Sequence, residues 1–152
     1  MALNFADVAS KKMAEVEKPP LPPVGTYRFR ITKLPETRKS QDEKWEFLTI
    51  PCRAVEALDD VEVDDWKGDI ANIMLTKQFI FNCEDEAEFE KTLYNVTQFF
   101  EKHVQCAEEG DTIAQSMNNC VNQEFLGTVA WRGDKNDPDI FYAEIKRSAP
   151  VE

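Results

Sequence analysis

The sequence predicts a mostly β fold: a small barrel of five strands with one main helix and an N-terminal arm. Segments in which apolar and polar residues alternate indicate strands, whereas apolar residues at three- and four-residue steps indicate one amphipathic helix. The predicted strands are Thr26–Leu34, Trp45–Ala57, Asn72–Asn82, Glu124–Arg132 and Ile140–Arg147, and the helix is Glu84–Gln105. This order, β-β-β-α-β-β, is that of the OB-fold, a partly open barrel that commonly binds oligonucleotides or oligosaccharides.

The length of 152 residues favours one domain, preceded by a distinct N-terminal segment. Residues 1–24 are predicted to be an arm and a Pro-rich spacer, because Pro19–Pro23 disfavours both helix and sheet. The arm has at best a weak helical stripe, formed by Phe5, Val8, Met13 and Val16. Residues 25–150 are predicted to form the barrel.

The first strand alternates cleanly, so Tyr27, Phe29 and Ile31 are expected to face the core and Arg28 and Arg30 to face solvent or a ligand. The segment that follows, 35–44, is interpreted as a polar, basic loop.

The second strand has two competing phases. We prefer the phase that exposes Arg53, because an arginine is rarely buried without a partner. That phase places Leu48, Ile50, Cys52 and Ala54 inside and Trp45, Phe47, Thr49 and Arg53 outside. Pro51 suggests an edge position or a bulge, since proline cannot donate a ladder hydrogen bond.

The third strand leaves its phase open, because neither Ile73, Leu75, Lys77, Phe79 and Phe81 nor Met74, Thr76, Gln78 and Ile80 is cleanly apolar. Asn82 is expected to cap the helix, with Asp85 as a capping-box-like partner. The buried stripe of the helix is predicted to be Phe89, Leu93, Val96, Phe100 and Val104. A second short helix is expected over 112–118, and the turn residues of 133–138 predict a hairpin between the last two strands.

The net charge of −11 is unfavourable for a protein that binds nucleic acid, but the charges are unevenly distributed. The segment Arg28–Lys44 contains six basic and three acidic side chains, whereas the loop Glu56–Asp65 contains six acidic side chains and no basic one. A basic strand region could therefore bind an anionic ligand locally.

The sharpest candidate site combines basic and aromatic side chains. Single-strand binders pair a positively charged groove with aromatic faces on which bases stack. The candidates are Arg28, Arg30, Lys39, Lys44, Trp45, Phe47, Arg53, Lys77, Phe79, Trp131 and Arg132. The competing interpretation is that the aromatic residues belong to the core and the basic ones to a solvated rim.

Other chemistries have weaker support. The acidic loop lacks the spacing of a calcium-binding EF-hand, and His103 with Cys83, Cys106 and Cys120 lacks the close pairs of a zinc site. With one histidine and no Gly-rich phosphate loop, we expect no enzyme, no metal and no cofactor. Widely spaced cysteines, and the lack of an apolar run long enough to span a membrane, favour a reduced, cytoplasmic protein.

The chain resembles a family of small bacteriophage-encoded proteins that bind single-stranded DNA through an OB-fold. The similarity covers nearly the whole sequence: the opening Met1-Ala2-Leu3-Asn4-Phe5, Leu21–Tyr27, Trp66-Lys67-Gly68, the helix, Phe125-Leu126-Gly127 and the ending Glu144–Pro150. The resemblance implies protection of single-stranded DNA during phage replication and recombination in the bacterial cytoplasm. It also implies that DNA lies across strands 2 and 3, near Trp45, Phe47, Lys77 and Phe79.

An alternative function is that of a phage interaction protein, such as a virion component or an inhibitor of a host protein. It would act through the acidic loop and would not bind DNA.

Overall fold

The computed structural model of the protein describes residues 4–9, 12–13, 20–64, 66 and 68–151. The strands are β1 (Gly25–Ile31), β2 (Glu36–Lys39), β3 (Trp45–Ala57), β4 (Met74–Asn82), β5 (Glu124–Gly133) and β6 (Phe141–Ala149). The helices are α1 (Phe5–Val8), α2 (Glu86–Gln98) and α3 (Ile113–Asn119). A 3₁₀ turn, Ile70–Asn72, precedes β4, and a π-helical turn, Phe99–Val104, continues α2. The prediction of a mostly β protein with one main helix is confirmed. Val16, which was expected to belong to the helical stripe of the arm, lies outside the described residues.

All six strands belong to one antiparallel sheet with the order β4-β3-β1-β5-β6, in which β2 also pairs with β3. β1 and β2 occupy successive parts of the same edge of β3, and β4 occupies the other edge. Residues of β4 approach residues of β6, but no ladder joins these two strands among the residues that the structure describes. The sheet is therefore curved but not closed into a barrel.

The loop predicted over 35–44 is wrong in its first half, because Glu36–Lys39 forms β2 against Glu46–Thr49 of β3. β3 is 13 residues long and β1 only 7, so β1 leaves part of the β3 edge without a partner. β2 takes that part of the edge. Pro51 was expected at an edge or a bulge and lies instead where the edge of β3 passes from β2 to β1, with its carbonyl accepting from Thr32 N at 3.0 Å.

The phases predicted for the first two strands are confirmed. The side chains of Tyr27, Phe29 and Ile31 in β1 and of Leu48, Ile50, Cys52 and Ala54 in β3 are buried. The structure also settles the open phase of β4: Leu75, Lys77, Phe79 and Phe81 face the core side, and Met74, Thr76, Gln78 and Ile80 face outward. Lys77 is consequently an interior residue, with only 9% of its surface exposed.

The start of α2 differs from the prediction, because Asp85 rather than Asn82 is the N-cap. The Asp85 carboxylate accepts a hydrogen bond from Glu88 N at 3.1 Å, whereas the Asn82 side chain accepts from Glu84 N within the preceding turn. The expected second helix is present as α3, and Thr112 and Gln115 form a capping box at its start.

The π-helical turn carries the side chain that attaches the helical segment to the sheet. Phe99 is buried and its ring lies 5.0 Å from that of Phe125 on β5 and 5.6 Å from that of Phe79 on β4, measured between centroids. Such aromatic pairs contribute about 0.5–1.5 kcal/mol each beyond the area that they bury. Phe99 therefore links the two halves of the open sheet.

Gly127 is required by close packing on the inner face of β5. A Cβ atom at this position would lie 2.8 Å from Cδ2 of Phe29 and 3.0 Å from Cγ2 of Ile145. Both neighbours are buried core side chains, so neither can move away freely.

We therefore expect Gly127→Ala to lower the free energy of unfolding by about 1–3 kcal/mol through overpacking. Gly133→Ala in the same strand is the matched control, because its Cβ would meet Phe141 at an ordinary 3.7 Å. Urea denaturation of both variants measures the difference. Equal stability of the two variants would contradict the packing argument.

Candidate nucleic-acid interface

The register of β2, β3 and β4 assembles one exposed surface, which we call the outer face. Its rows run across the strands: Arg38 lies opposite Phe47 and Phe47 opposite Ile80, and Thr49 and Gln78 form the next row. Trp45 lies at one end of the face and the pair Arg53 and Met74 at the other. The outer face is defined by Arg38, Trp45, Phe47, Thr49, Arg53, Met74, Gln78 and Ile80.

Large apolar side chains remain exposed on this face. Trp45 is 41% exposed, Ile80 48% and Met74 58%. The guanidinium carbon of Arg38 lies over the Phe47 ring, 5.6 Å from its centroid. At an exposed site this cation–π contact is worth roughly 0.5–1 kcal/mol. The row therefore combines a positive charge with an aromatic ring at one place on the surface.

The basic side chains of β1 extend the outer face. Arg30 lies opposite Arg53 in the β1–β3 ladder, and Arg28 lies opposite Glu56. Arg53 contacts the sulfur of Met74 at 3.9 Å and has no carboxylate partner within the described ranges. Arg28 and Arg30 both have such partners, Glu56 and Glu124, so their charges are partly neutralised.

Lys77 and Phe79 do not belong to this surface, so the expectation that they share a face with Trp45 and Phe47 is wrong. The period of two in β4 places their side chains on the core side. The Lys77 ammonium lies 5.1 Å from the centroid of Phe79 and 5.9 Å from that of Phe99. Burial lowers the pKa of Lys77.

His103 lies in the same region of the interior as Lys77. Its Nδ1 atom lies 2.7 Å from Ser148 Oγ on β6, and its ring meets Phe99 edge to face. Burial, and secondly the charge of Lys77, lower the pKa of His103. The side chains near this seam between β4 and β6 therefore favour neutral over charged histidine.

The two lysines predicted near Trp45 are exposed, but the expectation that Lys39 lies on the outer face is wrong. Lys39 is the last residue of β2 and lies opposite Glu46. Glu46 is on the same side of β3 as the core residues Leu48 and Ile50, so Lys39 is on that side too. Lys44 closes the turn before Trp45, where the Asp42 carboxylate accepts from Ser40 Oγ at 2.6 Å and from Lys44 N at 3.1 Å. These hydrogen bonds, that from Ser40 first, lower the pKa of Asp42.

Trp131 and Arg132 form a separate cluster at the end of β5, beyond the residues that pair with β1. The Trp131 indole donates to Pro22 O at 2.7 Å, which attaches the Pro-rich spacer to the sheet. Arg132 lies 5.9 Å from the centroid of the Tyr142 ring and 3.7 Å from a Glu144 oxygen.

A groove connects this second cluster with the outer face. It has a volume of about 490 Å³ and lies where the first residues of β4 and β6 approach each other. Leu21, Pro22, Trp66, Met74, Phe141 and Tyr142 are among its lining residues. Met74 therefore belongs both to the outer face and to this groove, which Tyr142 also lines.

The acidic loop has a structural role in part. The Asp60 carboxylate accepts from Thr26 N and from Thr26 Oγ1, each at 2.9 Å, and the backbone hydrogen bond is the main cause of its lowered pKa. Asp59, Glu62 and Asp64 are exposed, and Asp65 lies outside the described residues.

The described part of the chain contains neither a metal-binding cluster nor a membrane-spanning helix. No three or more His, Cys, Asp or Glu side chains there are grouped as a metal ion requires. No described helix is long and apolar enough to cross a bilayer. All four cysteines are free thiols: Cys52 and Cys120 are buried, Cys106 is half-buried and Cys83 is exposed.

Comparisons with known proteins provide no relative, because no family model and no curated protein matches this chain.

Sequence reasoning missed Arg38, Ile80 and Met74 as residues of the outer face. Arg38 lies in a segment interpreted as a loop, and only the β2–β3 register brings it opposite Phe47. Ile80 and Met74 could not be assigned while both phases of β4 were open. The segment Glu36–Lys39 has no alternation that could have indicated a strand.

Replacing Lys77 by methionine tests the cost of its buried charge. We expect Lys77→Met to raise the free energy of unfolding by about 1 kcal/mol at pH 7, since an apolar side chain of similar volume replaces a desolvated ammonium. Because the pKa of Lys77 is lowered in the folded state, the wild-type penalty is complete at low pH and disappears as pH rises towards the ordinary lysine value of 10.5.

The difference between the stabilities of the two proteins should therefore shrink as the pH approaches 10.5. Denaturant titrations at several pH values measure this difference in the free energy of unfolding. Burial raises the pKa of Tyr27 to about 12, and its ionisation affects both proteins equally. Lys146→Met, at an exposed position of β6, is the control and should change little. Destabilisation by Lys77→Met at pH 7 would show that the cation–π contacts outweigh desolvation.

Proposed function

We propose that the protein binds single-stranded DNA without sequence preference and without catalysis, and that the outer face is the binding surface. The observation that carries the proposal is the exposed row in which Arg38 lies over Phe47, beside the exposed Trp45 and Ile80. Aromatic faces stack on any base, which makes such binding tolerant of sequence. Thr49 and Gln78 add polar groups between the apolar ones.

We further propose that the fold is an open form of the OB-fold. If β1 and β2 are taken as two halves of one interrupted strand, five strands remain in the order β-β-β-α-β-β. In that interpretation β4 and β6 are the strands between which the barrel stays open. Strands β3 and β4 then correspond to the second and third strands of the OB-fold, whose face commonly binds oligonucleotides.

A role in phage replication and recombination rests on the sequence resemblance described above. The net charge of −11 makes a uniform attraction for DNA unfavourable, so binding depends on local contacts. Arg38 and Arg53 have no ion-pair partner among the described residues and would contact phosphates.

A titration of labelled oligo(dT) with the protein tests this function. Fluorescence anisotropy should report binding at low salt, with an affinity that falls as salt is raised from about 50 mM to about 200 mM, because bound phosphates release counterions. Duplex DNA should bind more weakly, since its bases are not available for stacking. No binding of oligo(dT) at low salt would overturn the proposal.

Alanine substitutions on the outer face should weaken binding without unfolding the protein. We expect Trp45→Ala and Phe47→Ala each to cost about 1–3 kcal/mol, or roughly 5- to 150-fold in Kd. Tyr94→Ala is the matched control, because Tyr94 is 62% exposed but lies on α2. Circular dichroism should show unchanged folding for all three variants.

An equal loss of affinity in Tyr94→Ala would contradict a site on the outer face. Indifference to DNA, together with capture of a partner that is lost on neutralising Asp59, Glu62 and Asp64, would favour the alternative interaction function instead.

A further inference from the structure

The register of the sheet places a carboxylate directly beside two arginines of the candidate interface. Glu124, the first residue of β5, lies opposite Arg30 in the β1–β5 ladder, and Arg28 is the next residue of β1 on the same side. Directly opposed residues of an antiparallel pair lie close enough for their side chains to interact. The backbone fixes this arrangement further, since Ile31 N donates to Gln123 O at 2.9 Å and Asn122 N donates to Ile31 O at 2.8 Å.

Glu124 engages both arginines, though unequally. Its Oε2 atom accepts from Arg30 Nη2 at 2.8 Å and from Arg30 Nε at 3.1 Å. Its Oε1 atom lies 3.6 Å from Arg28 Nε, which is also 3.6 Å from Glu56 and is buried without a hydrogen-bond partner. Arg30 is thus bound firmly, whereas Arg28 is held by charge attraction alone.

These contacts divide the four arginines of the surface into two kinds. Arg38 and Arg53 have no carboxylate partner in the described part of the chain, whereas Arg28 and Arg30 share Glu124. A phosphate that approached Arg30 would have to displace a carboxylate that already occupies the same donor atoms. Arginine binds both anions through the same donor geometry, so the two compete directly.

We propose that Glu124 is an internal competitor for the DNA backbone, which withholds Arg28 and Arg30 from phosphates and limits the electrostatic part of the affinity. The proposal rests on the proposed function and concerns how that binding surface is regulated. DNA then binds with Arg38, Arg53 and the aromatic side chains first. Arg28 and Arg30 become available only where the Glu124 contacts are released.

Glu124→Gln tests this role, because it removes the charge and preserves the shape of the side chain. We expect a roughly three- to tenfold tighter Kd for oligo(dT). The slope of log K against log salt should also steepen by about 0.7 for each arginine released, so by up to about 1.4. An unchanged affinity and slope, in a variant whose circular dichroism is that of wild type, would overturn the proposal.

Glu90→Gln is the matched control for the change in net charge. Glu90 is exposed on α2, away from the outer face, and forms no ion pair with any described residue. It should tighten binding by less than about twofold and leave the salt slope unchanged, because distant exposed charges are screened. The double variant Arg30→Gln/Glu124→Gln should lose most of the gain in affinity for oligo(dT) that Glu124→Gln shows. A gain in the double variant equal to that of Glu124→Gln would overturn the proposal.

A second probe separates this proposal from DNA binding itself. Isothermal titration calorimetry with inorganic tripolyphosphate should detect tighter binding to Glu124→Gln than to wild type. A gain for tripolyphosphate without any binding of oligo(dT) would overturn the proposed function but support the role of Glu124. Glu56→Gln, which removes one of the two carboxylates beside Arg28 and leaves Arg30 bound, should give a smaller gain and serves if Glu124→Gln fails to fold.

Discussion

The pairing of β3 with three other strands is the constraint on which the rest of the structure depends. Its 13 residues are paired with β4 on one edge and with β2 and then β1 on the other. The alternation along β3 then fixes both of its surfaces at once: Leu48 and Ile50 enter the core, and Trp45 and Phe47 are left outside. A shift of register by one residue would exchange the two sets and destroy both the core and the candidate interface.

Much of the fold could be predicted because its strands carry their own signal. The alternation of Tyr27, Phe29 and Ile31 with arginines is readable without any knowledge of the partners. β2 carries no such signal, since all four of its residues are exposed and none is apolar. It is a strand because the backbone groups along this part of the β3 edge would otherwise lack hydrogen-bond partners. The sequence of Glu36–Lys39 itself gives no indication of this.

The candidate site was predictable only in its central strand. Arg53 fixed the phase of β3, since a charge without a partner is costly to bury, and Trp45 and Phe47 followed from it. The same rule misleads for Lys77, because a lysine has a long apolar stem and can place its ammonium over aromatic rings, here Phe79 and Phe99.

Ion pairs explain why a count of basic residues overstates how strongly this surface attracts phosphate. Glu124 and Arg30 are 94 positions apart, so their contact cannot be read from local sequence. Carboxylates neutralise much of the charge of Arg28 and Arg30. The surface therefore offers aromatic and aliphatic contacts but little unpaired positive charge. Stacking is attraction to uncharged bases and is little affected by the remaining acidic surface, whereas phosphate contacts are opposed by it. An interface of this composition is therefore the kind through which a protein with a net charge of −11 could still hold a single strand.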